Sequence, residues 1–217
     1  ADPLRVLGTV GMVSDIARQV GGDCVTVDTL IAPGVDPHYF SARPADVRAL
    51  EQADLIVYVD RALEERLADV LDRFADRRPV LGVVAATFDA ADLLTDPEDP
   101  TIPDPHVWMD ASLWARIATP LADTMGALRP DCAADMTARA AQLKTRLDAL
   151  HDWTRATIAT IPEGQRLLVT AHDAFAYFAR AYGIEASEAV SGLSTLSEAS
   201  IADIRDVARF VTERGVP

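Results

Sequence analysis

The chain is short of the features that would span a membrane, staple a small fold or grip nucleic acid. None of its 217 residues belong to an uninterrupted apolar run approaching the roughly 20 residues that a transmembrane helix needs. Cysteine is scarce: Cys24 and Cys132 are far apart and form no CxxC, which excludes a disulfide framework. Buried free thiols are the expected state of the pair, with one long-range bridge as the alternative. Positive charge is outnumbered, 20 Lys and Arg against 34 Asp and Glu for a net charge of -14, and a phosphate backbone is a poor partner for such a surface. There is no initiator methionine before Ala1-Asp2-Pro3-Leu4, as in a mature exported protein whose signal peptide is gone, or in a chain trimmed at its start.

Apolar content is ample. At 49% hydrophobic over 217 residues, the chain can bury a real core, as one large domain or two small ones. Short apolar runs at 5–9, 25–31, 55–59 and 80–84 alternate with helical patterns at 13–20, 44–52 and 61–74, the mark of βα units and a parallel sheet. The second of these helices opens with Pro44, where a first turn tolerates proline. The segment 89–105, with Pro97, Pro100, Pro103 and Pro105, reads as an exposed loop. A helix is expected over 111–128. A longer one is expected over 132–160, with Met136, Ala140, Leu143, Leu147, Leu150 and Trp153 at helical spacing. The βα pattern restarts with an apolar run at 166–170, a helix carrying Phe175 to Tyr182, a loop around 191–195 and a last helix over 198–214. The expected class is therefore α/β: two parallel-sheet lobes linked by a long rigid helix, the second lobe incomplete in this chain. The boundaries are 1–130, 131–160 and 161–217, and Gly215-Val216-Pro217 falls where another strand should begin, as in a fragment or a cleaved product.

Only four histidines occur, and three have distinctive settings: Asp36-Pro37-His38, Asp104-Pro105-His106, and His172 in Thr170-Ala171-His172-Asp173-Ala174-Phe175. Proline fixes its own φ and holds the preceding aspartate extended, so each Asp-Pro-His delivers its imidazole on a stiff turn. His38 and His172 follow predicted strands, at the carboxyl ends where parallel sheets bind ligands. His151 lies within the long helix and reads as a surface or packing residue. Three neutral imidazoles from distant segments would make a borderline-soft cation site, with Asp36, Asp104, Asp110 or Asp173 available to receive the second ring N–H. A single Asp-Pro-His could equally be a plain turn, and His172 a residue near a helix start with Thr170 as cap. A catalytic zinc with an open fourth position would also use three histidines, although no HExxH is present. A metal-free interaction protein or adhesin is a further alternative.

Taken in order, the motifs Gly34-Val35-Asp36-Pro37-His38, Ala53-Asp54-Leu55, Asp104-Pro105-His106-Val107-Trp108, Thr170 to Phe175 with Tyr177-Phe178, and Ser194-Thr195 with Glu198-Ala199-Ser200 run almost end to end. Together they resemble the metal-binding solute-binding proteins of zinc and manganese ABC transporters. The resemblance implies two α/β lobes joined by one long helix, with a metal in the cleft between them. It makes His38 and His106 ligands from the first lobe and His172 a ligand from the second. It further implies a monomeric, non-enzymatic carrier in the periplasm or at the cell surface, lipid-anchored in some precursors, that hands its ion to a membrane permease. Two departures stand out: the carboxylate that serves the family as fourth ligand has no counterpart here, and the loop before His106 lacks the histidines of many zinc carriers. A histidine at 172, where manganese carriers often have glutamate, favours zinc over manganese. Histidine ligands bind only when neutral, so affinity is expected to fall as pH drops below about 6 to 6.5.

Overall fold

The computed structural model describes residues 2–97, 99–184, 186–196 and 199–215. Four strands form a parallel sheet in the order β2-β1-β3-β4, where β1 is Leu4–Gly8, β2 Val25–Thr29, β3 Leu55–Tyr58 and β4 Val80–Gly82. The pairings set Val6 beside Val27 and Leu55, and Val57 beside Leu81. The two central strands, β1 and β3, are nearly continuous apolar runs because helices cover both faces of the sheet. On one face, α1 (Gly11–Gly21) buries Val13, Ile16, Ala17 and Val20. On the other, Leu50 of α2 (Pro44–Gln52) packs with Leu7, Ile56, Leu71 and Phe74. Helix α2 starts at Pro44 as expected, and Asp46 Oδ2 accepts the N–H of Arg43 at 2.8 Å to cap its first turn.

Three expected elements come out differently. The helix expected over 61–74 is only α3, Ala68–Ala75. The preceding residues form turns around Glu64, whose fully buried carboxylate accepts from Thr9 Oγ1 (2.6 Å), Val59 N (3.0 Å) and Asp60 N (3.1 Å). A side chain that collects those donors folds the chain back on the end of β3 instead of letting a helix begin. Burial raises the Glu64 carboxyl to about 7, against the pull of the three donors. The run expected as strand 80–84 is split between β4 and a short helix α4, Val83–Thr87, since a buried apolar run does not by itself tell strand from helix. The helix expected over 111–128 is two, α5 (Ala111–Arg116) and α6 (Ala118–Leu128). Pro120 has no N–H to offer the Arg116 carbonyl, which breaks the ladder between them.

The long helix α7 spans Ala133–Ile158, 26 residues and so about 39 Å. Its first half packs on the first lobe through Met136, Ala140 and Leu143, and Arg139 donates to the Val20 and Gly21 carbonyls that end α1. Its second half does not continue that stripe: Leu150 is 46% and Trp153 64% exposed. His151 is buried, with Nδ1 3.1 Å from Asp110 Oδ1 and its ring 5.2 Å from that of Tyr182, so packing is its role.

Beyond α7 a second parallel sheet pairs β5 (Leu167–His172) with β6 (Ala186–Ser191), setting His172 beside Ser191. Between them lies α8, Ala176–Tyr182, ended by Gly183 at φ +76°, a conformation that glycine adopts without strain. Strand β6 was not anticipated; its polar start, Ala186-Ser187-Glu188, offers no apolar run. The last helix, α9, covers Ile201–Arg214 and is capped by Ser200, which accepts from Asp203 N. Its expected start at Glu198 lies outside the described residues.

The expected free thiols are instead a disulfide. Cys24 and Cys132 are bonded across 108 residues, with Cα atoms 6.4 Å apart. The bond ties the turn before β2 to the residue that precedes α7, a proximity that sequence distance does not reveal.

Candidate metal centre

Two local devices bring the three histidines together, a turn used twice and a strand end. His38 sits beyond β2, where Asp36 Oδ1 accepts its backbone N–H at 2.9 Å and closes the Asp-Pro-His turn. His106 ends an identical turn on Asp104, again at 2.9 Å. His172 is the last residue of β5. The ring centroids are 5.7 Å apart for His38 and His106, 5.4 Å for His106 and His172, and 6.1 Å for His38 and His172. One nitrogen from each ring lies within 4.8 Å of the others.

His38 and His106 are almost fully buried, while His172 is half-buried. His106 Nδ1 lies 2.7 Å from Asp104 Oδ1, which leaves Nε2 buried without a hydrogen-bond partner. Neither ring nitrogen of His38 has a hydrogen-bond partner. Buried polar atoms normally find partners, and three imidazole nitrogens within 4.8 Å of one another suit a cation. A tetrahedral zinc held at about 2.0–2.1 Å keeps its ligand atoms about 3.4 Å apart. The observed spread of up to 4.8 Å therefore needs a contraction of up to about 1.4 Å to grip one tetrahedral zinc. Burial lowers the His38 imidazole below its ordinary 6.5, and the nearby His106 lowers it further, against the opposite pull of Asp36 and Glu65. His172 is lowered too, first by burial and then by His106 and His38. At both rings the lowering prevails, which favours the neutral, ligating form.

The four aspartates expected around the rings have different fates. Asp104 engages the His106 ring, while Asp36 takes only the His38 backbone. Asp110 caps α5 through Ser112 N and Leu113 N and faces His151. The backbone N–H of Asp173 donates to the Ser191 and Gly192 carbonyls. Three residues that the sequence did not single out as site components also converge here. The Glu65 carboxylate lies 3.6 Å from His38 Nδ1. Tyr39 reaches the second lobe through a 2.7 Å bond to the Thr195 carbonyl. From α8, the wholly buried Tyr177 donates to the Asp104 carbonyl and accepts from Leu94 N, both at 3.0 Å. Tyr39 adjoins His38 and Tyr177 belongs to the motif that follows His172, hints that were available; Glu65 carries no such mark.

The chain is similar to known metal-binding proteins over almost its whole length. The profile of the family described as zinc-uptake complex component A, periplasmic, matches residues 6–217. The zinc-binding protein TroA of Treponema pallidum is 36% identical over 212 residues, which cover 98% of this chain and 68% of TroA. The manganese-binding lipoprotein MntA of Bacillus subtilis is 35% identical over 213 residues, 98% of this chain and 69% of MntA. The solved structure of periplasmic TroA superposes with a TM-score of 0.93 at 35% identity, over 99% of this chain and 76% of that one. Laminin-binding protein Lmb of Streptococcus agalactiae, described as a bifunctional protein with adhesin and metal-transporting activity, superposes at 0.83 with 26% identity, over 99% of this chain and 78% of Lmb.

The chain belongs to the periplasmic zinc-uptake component A family, the substrate-binding proteins of zinc and manganese ABC transporters. That family consists of transport proteins of the periplasm or cell surface. No helix among the described residues is long and apolar enough to cross a membrane.

Proposed function

We propose that the chain captures one divalent transition-metal ion, zinc in preference to manganese, and hands it to the permease of an ABC importer. His38 and His106 are the ligands from the first lobe (1–130), His172 is the ligand from the second (161–217), and helix 131–160 joins the two. The observation that carries this reading is the set of three imidazole nitrogens within 4.8 Å, with buried His38 and His106 nitrogens that lack hydrogen-bond partners. An all-imidazole donor set suits zinc, whereas manganese prefers harder oxygen ligands. The zinc-binding relative TroA supports the same choice, and the manganese-binding relative MntA keeps manganese as the second cargo. The chain acts as a monomeric carrier and performs no reaction, since holding and releasing an ion requires only neutral ligands and a cleft that can open.

Zinc titration of wild type and His38→Ala at pH 7.5, followed by calorimetry or chelator competition, tests the reading. The variant should lose most of its affinity while circular dichroism and melting show an intact fold. Unaltered zinc binding by a folded His38→Ala protein would overturn the ligand assignment.

A further inference from the structure

The two Asp-Pro-His turns are alike in their backbones and differ at their rings. In both, aspartate Oδ1 accepts the histidine backbone N–H at 2.9 Å. Asp104 Oδ1 also lies 2.7 Å from His106 Nδ1, so one carboxylate fixes backbone and ring together. Asp36 does not repeat this. His38 Nδ1 has no hydrogen-bond partner although the side chain is only 2% exposed, and the carboxylate that approaches it comes from another segment: Glu65 Oε1, at 3.6 Å.

We propose that Glu65 is the positioning residue for His38: when His38 Nε2 holds the cation, its Nδ1–H donates to the Glu65 carboxylate. This inference rests on the three-histidine reading above. Ligation makes the remaining ring N–H a stronger donor, and metal-bound histidines usually give that proton to a carboxylate or carbonyl that orients the ring. The geometry suits the role. The Glu65 side chain is 35% exposed, so it has room to shorten 3.6 Å to the roughly 2.8 Å of a charge-assisted bond. Its backbone is held, because the adjacent Glu64 is fixed by Thr9, Val59 and Asp60. Glu65 also lines a cavity of about 270 Å³ to which Pro105 contributes from the first lobe and Leu193, Ser194 and Leu196 from the second. Closing the lobes would dry that cavity and strengthen the bond. The His106 ring is thus oriented in advance by its own turn, whereas the His38 ring is fixed by a carboxylate that engages as the ion is taken up.

A simpler role for Glu65 is that of a negative charge at the mouth which attracts cations. Substitutions separate the two, because glutamine removes the charge but keeps an oxygen that can accept from Nδ1–H. Zinc affinity of the full chain is measured by chelator competition at pH 7.5 for wild type, Glu65→Ala, Glu65→Gln and His38→Ala, with melting of the metal-free proteins as the control for folding. Glu65→Ala should weaken binding roughly 10- to 100-fold, Glu65→Gln should restore most of that loss, and the metal-free melts should coincide. Glu65→Ala affinity within twofold of wild type overturns the proposal and leaves the ligand assignment standing, provided that His38→Ala is impaired. Equal losses in the alanine and glutamine variants also overturn it, in favour of the charge alone. Unimpaired binding by His38→Ala overturns both.

Discussion

The Tyr39 hydroxyl donates a 2.7 Å hydrogen bond to the backbone carbonyl of Thr195, joining residues 156 apart in sequence across the cleft. Tyr39 directly follows His38, and Thr195 lies just beyond β6, so the bond ties a histidine turn of the first lobe to a loop of the second. The guanidinium of Arg66 lies 5.4 Å from the centre of the Tyr39 ring and steadies it from the first-lobe side. Tyr177 makes the deeper connection between the lobes, and its phenol is pushed up to about 12, chiefly by burial, so it remains a donor to the Asp104 carbonyl at any physiological pH.

The Tyr39 bond predicts a kinetic effect. A hydrogen bond of this kind contributes about 0.5–1.5 kcal/mol, and Tyr39 is 48% exposed, which places it toward the lower end. Tyr39→Phe should therefore speed zinc release by roughly two- to fivefold with little change in capture rate, as read by stopped-flow transfer to an excess of chelator. A release rate equal to that of wild type would mean that the bond does not hold the cleft closed.

The Cys24–Cys132 bond predicts a stability effect. It closes a loop of 108 residues, and cross-links over such loops restrict the unfolded chain, with removal typically costing about 2–4 kcal/mol. The double variant Cys24→Ser/Cys132→Ser, or wild type held under reductant, should melt well below the oxidised protein. Cys24 precedes the start of β2 and Cys132 the start of α7, whereas His38 lies beyond the end of β2, so zinc affinity of the folded protein should be unchanged. Coincident melts with and without reductant would count against this stabilisation.

The contrast between what the sequence disclosed and what it hid follows from interaction range. Strands β1 and β3 are legible because burial on both faces demands continuous apolar runs, and α7 because its helical spacing persists over many turns. The Asp-Pro-His turns are legible because proline and aspartate act within two residues. The region between β3 and α3 was misread as helix because its conformation is set by Glu64 reaching Thr9, 55 residues away. Strand β6 was missed because it is defined by its pairing with β5, with Val169 beside Glu188, and not by its own hydrophobicity. The disulfide and Glu65 belong with these long-range cases: each depends on distances that only the folded chain fixes.

The burial of His38 and His172 predicts where acid defeats metal binding. Both imidazoles have folded-state values below 6.5, so they are neutral at pH 7 and remain so as pH falls to 6.5. Proton competition then sets in below the ordinary imidazole value of 6.5. Zinc affinity should be similar at about pH 7.5 and 6.5 and at least tenfold weaker at about pH 5. Equal affinities at pH 7.5 and 5 would contradict the assignment. The same shifts act on the metal-free fold: the unfolded chain takes up protons on these histidines before the folded one does. Their contribution to stability is therefore intact above about pH 6.5 and declines as pH falls from there toward the folded-state values.

Asp104 offers the last test, because it performs for His106 what its own turn allows and does so before any ion arrives. Its Oδ1 accepts the His106 backbone N–H at 2.9 Å and lies 2.7 Å from Nδ1, and the residue is only 1% exposed. Asp104→Ala removes both contacts and leaves two buried N–H groups unpaired, a cost of about 1–3 kcal/mol each, and it frees the ring to turn away from the cation. Asp104→Asn retains an oxygen for both donors but places an amide where Oδ2 now has no hydrogen-bond partner. The alanine variant should lose roughly 10- to 100-fold in zinc affinity and melt lower than wild type. The asparagine variant should hold more of its affinity than of its stability, because the ring keeps its acceptor while the buried amide gains no assured partner. Zinc titration and thermal melting of the two variants side by side would reveal the difference, and an alanine variant with wild-type affinity would show that the His106 ring needs no such support.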